Sequence, residues 1–222
     1  MLPEHRDDDL SSNCARAWGS RRIDVTSMLE HLEAIRSKLP KLADTLTPAF
    51  IAAIFAVSRS LAEMPIINSR WSDGGIVMSH DVHVGVEVNT GRGRRVPVIP
   101  YTDRLTLFEL AAAMNHAIRD GDGGQADAPR GTFTVGDGGA AGSVLSRPVL
   151  HDGQAGIYQF GLVRRVPSVV GDAITVRSIC DASFAFDHRV MDGATSARFQ
   201  NLVKDRLETF EVDSEGRVHA TA

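Results

Sequence analysis

The chain has 222 residues, of which 43% are hydrophobic and 23% charged, and 24 Lys and Arg against 28 Asp and Glu give a net charge of −4. These values are typical of one soluble globular domain, and the acidic balance argues against nonspecific binding to nucleic acid. The longest apolar run, residues 48–57, is far shorter than the roughly 18 residues that a membrane span requires. A small-molecule enzyme and a protein-interaction module are both compatible with this composition.

The chain is predicted to begin with a polar arm that precedes two helices. Residues 1–22 are polar and unpatterned and lack the basic-then-apolar order of an export signal, which predicts a mobile arm and favours a cytoplasmic protein. Apolar residues recur at helical spacing over residues 28–39 and predict a first helix. Pro48 fits the first position of a second helix, which Met64 and Pro65 should end.

Strands and helices are both predicted for the rest of the chain. Alternating valines over residues 82–88 are typical of a strand with one buried face, and Thr106 and Glu109 form a capping box for a third helix. Further strands are predicted at residues 132–135, 157–163, 173–179 and 181–186, before a last helix. The pattern predicts one mixed α/β domain over residues 23–212, followed by a polar tail over residues 213–222.

His188 is the strongest candidate for chemistry in the sequence. It follows a β-patterned run, and Asp192 and Gly193 come after it, before the last helix. A side chain at a strand end is held by the sheet yet open to solvent, and a histidine takes up a proton near neutral pH. His188 is therefore a candidate general base for a thiol or hydroxyl. The alternative is a structural role, in which His188 completes the strand end and Asp192 caps the helix.

The segment DHRVMDG, residues 187–193, closely resembles the DHRxxDG signature of the dihydrolipoyl acyltransferases, the catalytic cores of 2-oxo acid dehydrogenase complexes. Chloramphenicol acetyltransferase carries the related HxxxDG element. Other segments resemble the same family in the family's order: MPIINSRW resembles vPexNasw, VHVGVEVNT resembles vniGvAv, GTFTV with its following turn resembles GtFTiSNlG, and AGIYQFGLV resembles aILGvg. A spaced series of this kind, from Ile23 to Phe210, is far more specific than a single match.

The resemblance implies a chloramphenicol acetyltransferase-like α/β fold, a two-layer sandwich in which helices lie on one face of a mixed sheet. It also implies a homotrimer with active sites between subunits, where acetyl-CoA or another acyl-CoA and the acceptor enter from opposite ends of a channel. His188 would be the general base that removes the proton of the acceptor. Asp192 would position the loop through an arginine partner, for which Arg21 and Arg22 are candidates.

One departure from the family pattern bears on mechanism. Gly136 stands where the family motif has a serine whose hydroxyl is thought to stabilise the oxyanion, and losing one oxyanion donor costs about 100- to 1,000-fold in rate. The candidate substitutes are the backbone N–H groups of the glycine-rich turn, Thr134 and Ser143. A Gly136→Ser change is predicted to be tolerated or to increase transfer to a thiol.

A basic cluster is a second departure. Arg92, Arg94 and Arg95 occupy a turn that is mostly uncharged in the family pattern. Three arginines in four residues can bind the phosphates of CoA or an acidic carrier protein, and a solvated loop is the alternative.

Other features are assigned to structure rather than to chemistry. The glycine-rich turn imitates a dinucleotide fingerprint, but Pro148 interrupts the helix that the fingerprint needs. His80 and His83 would face opposite ways on a strand, with no evident third ligand, so no metal site is predicted. Cys180 lies in an apolar pattern and is predicted to be a small buried residue, and Cys14 with Cys180 cannot form a disulfide framework.

Two functions therefore stay open. The leading hypothesis is an enzyme that moves an acetyl or other acyl group from CoA to a hydroxyl or thiol of a small-molecule or carrier-protein-bound acceptor, without a metal or an attached lipoyl group. O-acetylation of a natural-product intermediate, such as a tetronate hydroxymethyl group, is one such reaction. The alternative is a noncatalytic trimeric assembly core that has lost turnover. The residues after Phe210 form no apolar knob, which predicts a trimer rather than a larger cage.

Overall fold

The structure, a computed structural model, describes residues 16–42, 46–90, 93–119, 130–151 and 153–220. Within these segments lie four α-helices: α1 (Thr26–Ala34), α2 (Pro48–Glu63), α3 (Leu107–Arg119) and α4 (Gly193–Glu208). The same segments contain twelve strands: β1 (Arg16–Asp24), β2 (Ser69–Ser72), β3 (Gly75–Met78), β4 (Val84–Thr90), β5 (Gly93–Arg95), β6 (Val98–Ile99), β7 (Phe133–Asp137), β8 (Gly156–Phe160), β9 (Arg164–Val170), β10 (Ala173–Asp187), β11 (Phe210–Val212) and β12 (Val218–Ala220). No helix in this part of the chain is long and apolar enough to cross a membrane.

Local sequence signals set the starts of two helices. Thr47 Oγ1 accepts a hydrogen bond from the Phe50 N–H at 3.1 Å, and Pro48 takes the first position of α2. At the start of α3, the Thr106 N–H donates to Glu109 Oε2 at 2.7 Å, while the Glu109 N–H donates to Thr106 Oγ1 at 3.3 Å. The predicted start of the second helix and the predicted capping box are both confirmed.

The main sheet has eight strands. Its order is β1-β10-β8-β7-β4-β5, with β6 also paired to β4 and β9 also paired to β10. Strand β7 runs parallel to β4 and to β8, whereas the other pairs are antiparallel. The sheet is therefore mixed, and two short hairpins, β2–β3 and β11–β12, lie outside it.

The two faces of the sheet carry different side chains, because directly paired residues on neighbouring strands point to the same face. On one face, the fully buried Tyr158 and Phe184 pack against Phe199 of α4, with ring centroids 6.0 and 5.1 Å away. On the opposite face, Glu87 of β4 lies beside Gly136 of β7. The predicted α/β fold, with helices on one face of a mixed sheet, is confirmed, and its second face carries polar groups.

The amino-terminal prediction is wrong for residues 16–22, which belong to β1 rather than to a mobile arm. Strand β1 pairs with β10 from Arg16↔Asp187 to Asp24↔Ile179. Its side chains are mostly exposed or half-buried, so backbone hydrogen bonds to β10 hold it, not an apolar pattern that the sequence could reveal. Residues 1–15 lie outside the described residues.

Four further features differ from the predictions. The strands predicted at residues 173–179 and 181–186 are one continuous strand, whose first half pairs with β9. The sequence did not reveal β9, because Pro167 and two arginines obscure its pattern, and such a strand is tolerated at a sheet edge. Helix α1 ends at Ala34, and the predicted tail completes the β11–β12 hairpin.

Candidate active site

His188 lies in the tight turn that follows β10, and its side chain is exposed. Its ring centroid is 5.8 Å from that of Phe186, at an interplanar angle of 36°. The N–H groups of Val190 and Met191 both donate to the Asp187 carbonyl, at 3.0 and 3.2 Å, which closes the turn. The predicted position of His188 at a strand end is confirmed, and its role as a base stays a prediction.

An ion pair between the buried Asp187 and the half-buried Arg189 holds the backbone on both sides of His188. Asp187 is 1% exposed, and Arg189 donates to its carboxylate through Nε at 2.9 and 3.1 Å and through Nη2 at 2.5 Å. The Arg189 guanidinium also stacks on Trp71, with its Cζ 4.8 Å from the ring centroid. Because a bidentate pair has one favoured geometry, the residues before and after His188 are fixed relative to each other. The imidazole between them therefore stands on a rigid support.

Asp192 caps α4. Its Oδ1 accepts a hydrogen bond from the Thr195 N–H at 2.7 Å. Hydrogen bonds from Thr195 lower the pKa of this exposed carboxyl, with a smaller contribution from the charge of His188. Arg21 and Arg22, the candidate partners of Asp192, donate to other side chains at 2.8 and 3.2 Å. The contacts of Asp192 thus match the structural alternative, a helix cap.

Gly136 is the centre of a polar row that crosses three strands. It pairs with Glu87 of β4 and with Gln159 of β8. A Cβ atom on Gly136 would lie 2.8 Å from Glu87 Oε2 and 3.6 Å from Gln159 Cγ, and the backbone φ of Gly136 is not positive. The glutamate fills the space that a side chain at position 136 would need. A serine at position 136 has to shift the Glu87 carboxylate, which is the far end of a flexible side chain, and the tolerance of Gly136→Ser stays a prediction.

A charge network holds Glu87 in place. Its Oε1 accepts a hydrogen bond from Arg94 Nη2 and lies 2.6 Å from His151 Nε2. Burial acts to raise the pKa of Glu87, but hydrogen bonds from His151 and Arg94 outweigh it and hold the pKa below its ordinary value. Arg94 is therefore tied to the polar row. Arg95 lies on the same short strand, and Arg92 lies outside the described residues.

A cavity of about 350 Å³ opens beside this row. Its polar lining comprises Glu87, Asn89, Arg94, Asp137 and Gln159. Burial raises the pKa of Asp137, although the N–H groups of Ala140 and Gly139 donate to it and act in the opposite direction. A concave space with a few convergent polar groups is the usual form of a small-molecule site.

The donors predicted to replace the family serine are already engaged. Thr134 is 1% exposed, and its hydroxyl donates to Gln154 at 2.7 Å. Ser143 Oγ donates to the Leu145 carbonyl at 3.2 Å. In the glycine-rich turn, the N–H groups of residues 138–143 donate to backbone carbonyls or to Asp137. The hydrogens of these groups are therefore used in structural hydrogen bonds within the protein, so these groups do not offer them to an oxyanion.

His83 and Cys180 are both buried, and His83 precedes β4 rather than lying on a strand. His83 is 9% exposed, and its Nδ1 accepts a hydrogen bond from the Tyr101 N–H at 3.1 Å. Among the described residues, no group of three or more His, Cys, Asp and Glu side chains is placed to hold a metal ion. Cys180 is 4% exposed, and burial raises the pKa of its thiol to about 12, so the prediction of a small buried residue is confirmed.

His188 and the polar row are far apart within one chain. Gly136 pairs with Gln159, which pairs with Ser183 of β10, and Ser183 precedes His188 by five positions. With ~3.3 Å per residue along a strand and ~4.8 Å between strands, His188 and Gly136 are about 19 Å apart. An acyl carbon within reach of His188 is therefore too far from Gly136 for the polar row of the same chain to contact it. A site that uses both requires a second copy of the chain.

Sequence reasoning missed Glu87, His151 and Gln159. Glu87 and Gln159 each interrupt an otherwise apolar strand, and that interruption is a signal that could have identified them. His151 follows Glu87 by 64 positions, so no local pattern connects the two.

Comparison with known proteins places the chain among acyltransferases. The family described as 2-oxoacid dehydrogenases acyltransferase (catalytic domain) matches residues 9–212. The lipoamide acyltransferase component of the branched-chain alpha-keto acid dehydrogenase complex of Bacillus subtilis (strain 168) is 32% identical over 199 residues, covering 88% of this chain and 47% of that protein. The crystal structure of a probable dihydrolipoamide acetyltransferase from Listeria monocytogenes 4b F2365 has a TM-score of 0.79 at 27% identity, covering 94% of this chain and 88% of that chain.

The fold has a wider relative. A chloramphenicol acetyltransferase matches with a TM-score of 0.60 at 16% identity, covering 86% of this chain and 88% of that chain. The chain spans about half the length, or less, of the curated relatives that it matches. The family match extends over most of the chain, from before β1 to the end of β11, and includes the His188 turn. The chain therefore belongs to the acyltransferase (catalytic domain) family of the 2-oxoacid dehydrogenases and has the chloramphenicol acetyltransferase-like fold.

Proposed function

We propose that this protein transfers an acyl group, in the simplest case acetyl, from CoA to a thiol or hydroxyl acceptor, with His188 as the general base. The observation that carries the proposal is the turn at residues 187–193, where an ion pair with a buried carboxylate supports an exposed imidazole at the end of a central strand. A noncatalytic assembly core would have no need for a base at this position. Membership of an acyltransferase family supports the same reaction class.

The reaction is a direct transfer. A ring nitrogen of His188 takes the proton from the S–H or O–H of the acceptor, and the freed electron pair forms a bond to the thioester carbonyl carbon. The carbonyl π electrons move to oxygen and give a tetrahedral oxyanion. When this collapses, the C–S bond breaks, and the CoA sulfur leaves with the proton held by His188. The products are the acylated acceptor and free CoA, and His188 is neutral again.

We infer that the active unit is a homotrimer, in which His188 of one subunit faces the polar row of the next. The separation of about 19 Å within one chain supports this arrangement. The β9–β10 hairpin supports it too, because Val169, Ile174 and Val176 are 75%, 79% and 57% exposed, an apolar surface that a monomer seldom presents. One heterologous contact repeated three times closes a ring and can cover this hairpin.

The polar cavity bears on the choice of acceptor and donor. Its lining of carboxylate and amide groups suits an acceptor that carries hydroxyl groups, whether a free small molecule or one bound to a carrier protein. O-acetylation of a tetronate hydroxymethyl group falls within this class. Arg94, at the edge of the cavity, has N–H groups beyond the one that Glu87 accepts, and these would contact an anionic group of CoA or of a carrier. Arg95 lies on the same strand.

The test supplies acetyl-CoA together with dihydrolipoamide as a thiol or with a series of primary alcohols that includes a hydroxymethyl tetronate. Free CoA and acylated acceptor are measured by liquid chromatography. His188→Ala should lower kcat by about 100- to 10,000-fold without changing the melting curve, because a general base contributes a factor of that size. His31→Ala, on α1, is the matched control and should keep full activity.

Two outcomes would contradict the proposal. Folded His188→Ala protein with activity within about threefold of wild type would remove the base from the mechanism. A folded wild-type trimer that transfers acetyl to none of these acceptors would favour the noncatalytic core.

A further inference from the structure

We infer that the side-chain amide of Gln159 is the oxyanion donor of this enzyme and replaces the serine hydroxyl that the family motif places at position 136. The inference rests on the proposed acyl transfer, which generates the oxyanion. It starts from the polar row, in which Glu87, Gly136 and Gln159 lie side by side on three paired strands. Directly paired residues share a face, and Glu87 and Gln159, on either side of Gly136, both line the cavity.

Most of the candidate hydrogen-bond donors near Gly136 already have a partner within the protein. Thr134, Ser143 and the N–H groups of the glycine-rich turn have structural partners. Glu87 is a carboxylate and only accepts hydrogen bonds, and Arg94 Nη2 donates to it, so Gln159 is the side-chain donor that lies directly beside Gly136. Gln159 carries two N–H hydrogens on its amide, and no hydrogen bond of that amide is found among the described residues.

The position of Gln159 fits the role. Its Cγ lies 3.6 Å from the place of a Cβ on Gly136, and its Nε2 lies 3.1 Å from the place of a Cβ on Gly138. The amide therefore extends along β7 from the position of the missing hydroxymethyl group, inside the cavity. Its half-buried position limits competition from water, which strengthens a hydrogen bond to a developing charge.

Side chains from both neighbouring strands fill the space beside Gly136. Glu87 Oε2 lies 2.8 Å from the place of a Cβ on Gly136, and Gln159 Cγ lies 3.6 Å from it. The position at which the family motif has a serine is therefore lined by polar side chains of β4 and β8.

The amide acts without giving up a proton. As the acceptor attacks, the carbonyl oxygen gains the π electron pair, and Gln159 Nε2–H donates a hydrogen bond to that oxygen. When the C–S bond breaks, the oxygen returns its electron pair to the carbonyl, and the amide is unchanged. Proton transfer from the acceptor to the CoA sulfur stays with His188 of the next subunit.

The test uses the acetyl transfer assay on the trimer. Gln159→Glu keeps the side-chain length but replaces the donor by a carboxylate, and Gln159→Gly removes the side chain. Each should lower kcat about 100- to 1,000-fold, the usual contribution of one oxyanion donor. The KM for acetyl-CoA should change by less than about threefold, because the interaction forms only in the transition state. Melting curves check the fold, and Gln159→Glu decides the question if the glycine variant does not fold.

A rescue variant tests the replacement itself. The triple variant Glu87→Ala, Gly136→Ser, Gln159→Gly supplies a serine hydroxyl that Glu87 no longer blocks. It should recover at least about tenfold in kcat over Gln159→Gly alone. A folded triple variant no faster than Gln159→Gly would overturn the replacement.

Two outcomes distinguish a failure of this inference from a failure of the proposed function. Gln159 variants that keep kcat within about threefold of an active wild type would overturn the role of Gln159 and leave acyl transfer standing. A wild-type protein without transfer would overturn both.

Discussion

Activity should be restored when two inactive variants are combined in one trimer. His188→Ala removes the base, and Gly136→Leu fills the space beside Glu87, so each homotrimer should be inactive. The two sites of change are about 19 Å apart in one chain, by the register of β7, β8 and β10. That distance is too large for both to act on one acyl group. On the proposed mechanism, each functional site therefore draws His188 and the polar row from different subunits.

The size of the recovery follows from the closed ring. A mixed trimer, whether it holds one or two copies of His188→Ala, has a single interface that joins an intact His188 to an intact polar row. Mixed trimers should therefore show about one third of the wild-type kcat per trimer. The assay co-expresses the variants with two different affinity tags, purifies by both tags in turn and measures release of CoA. Doubly purified trimers as inactive as the parent variants would refute the shared site.

Three further predictions concern stability and assembly. Asp187→Asn should cost about 1.5–3 kcal/mol in the free energy of unfolding, because it removes the charge of the buried carboxylate that the half-buried Arg189 pairs with, and should lower kcat by loosening His188. A loss below about 0.5 kcal/mol in chemical denaturation would contradict this. The pKa of Glu87 is depressed in the folded protein, so its ionised form stabilises the fold above the unfolded pKa of about 4.3, and this contribution is lost as the pH falls through the lower folded pKa. Unfolding measured over a series of pH values should therefore show the stability deficit of Glu87→Gln largest at neutral pH and shrinking as the pH falls below the unfolded pKa, and a deficit that does not shrink in acid would be evidence against the ion network. Light scattering should give a mass near three times the 24.0 kDa subunit, whereas a particle several times heavier would contradict the prediction of a trimer without a cage.

Much of the local structure could be predicted because its causes lie within a few residues. Thr47 and Pro48 start α2 through contacts inside one turn of helix, and the capping box at α3 spans four residues. The His188 turn is local in the same way, since the supporting pair of Asp187 and Arg189 is two positions apart. Because these contacts are local, the motif by itself predicts the turn, and its position at the end of a strand could be predicted before the fold was known.

The tertiary structure alone decided the rest. Strand β1 has little apolar pattern and exists because β10 supplies its hydrogen bonds, and β9 depends on β10 in the same way. The polar row brings together Glu87, Gly136 and Gln159 through the register of two parallel strand pairs. Sequence alone indicated the loss at Gly136, but not that Glu87 fills the space or that Gln159 reaches into it. Register is set by hydrogen bonds between segments distant in the chain, so no spacing within one segment encodes which side chains meet across a sheet.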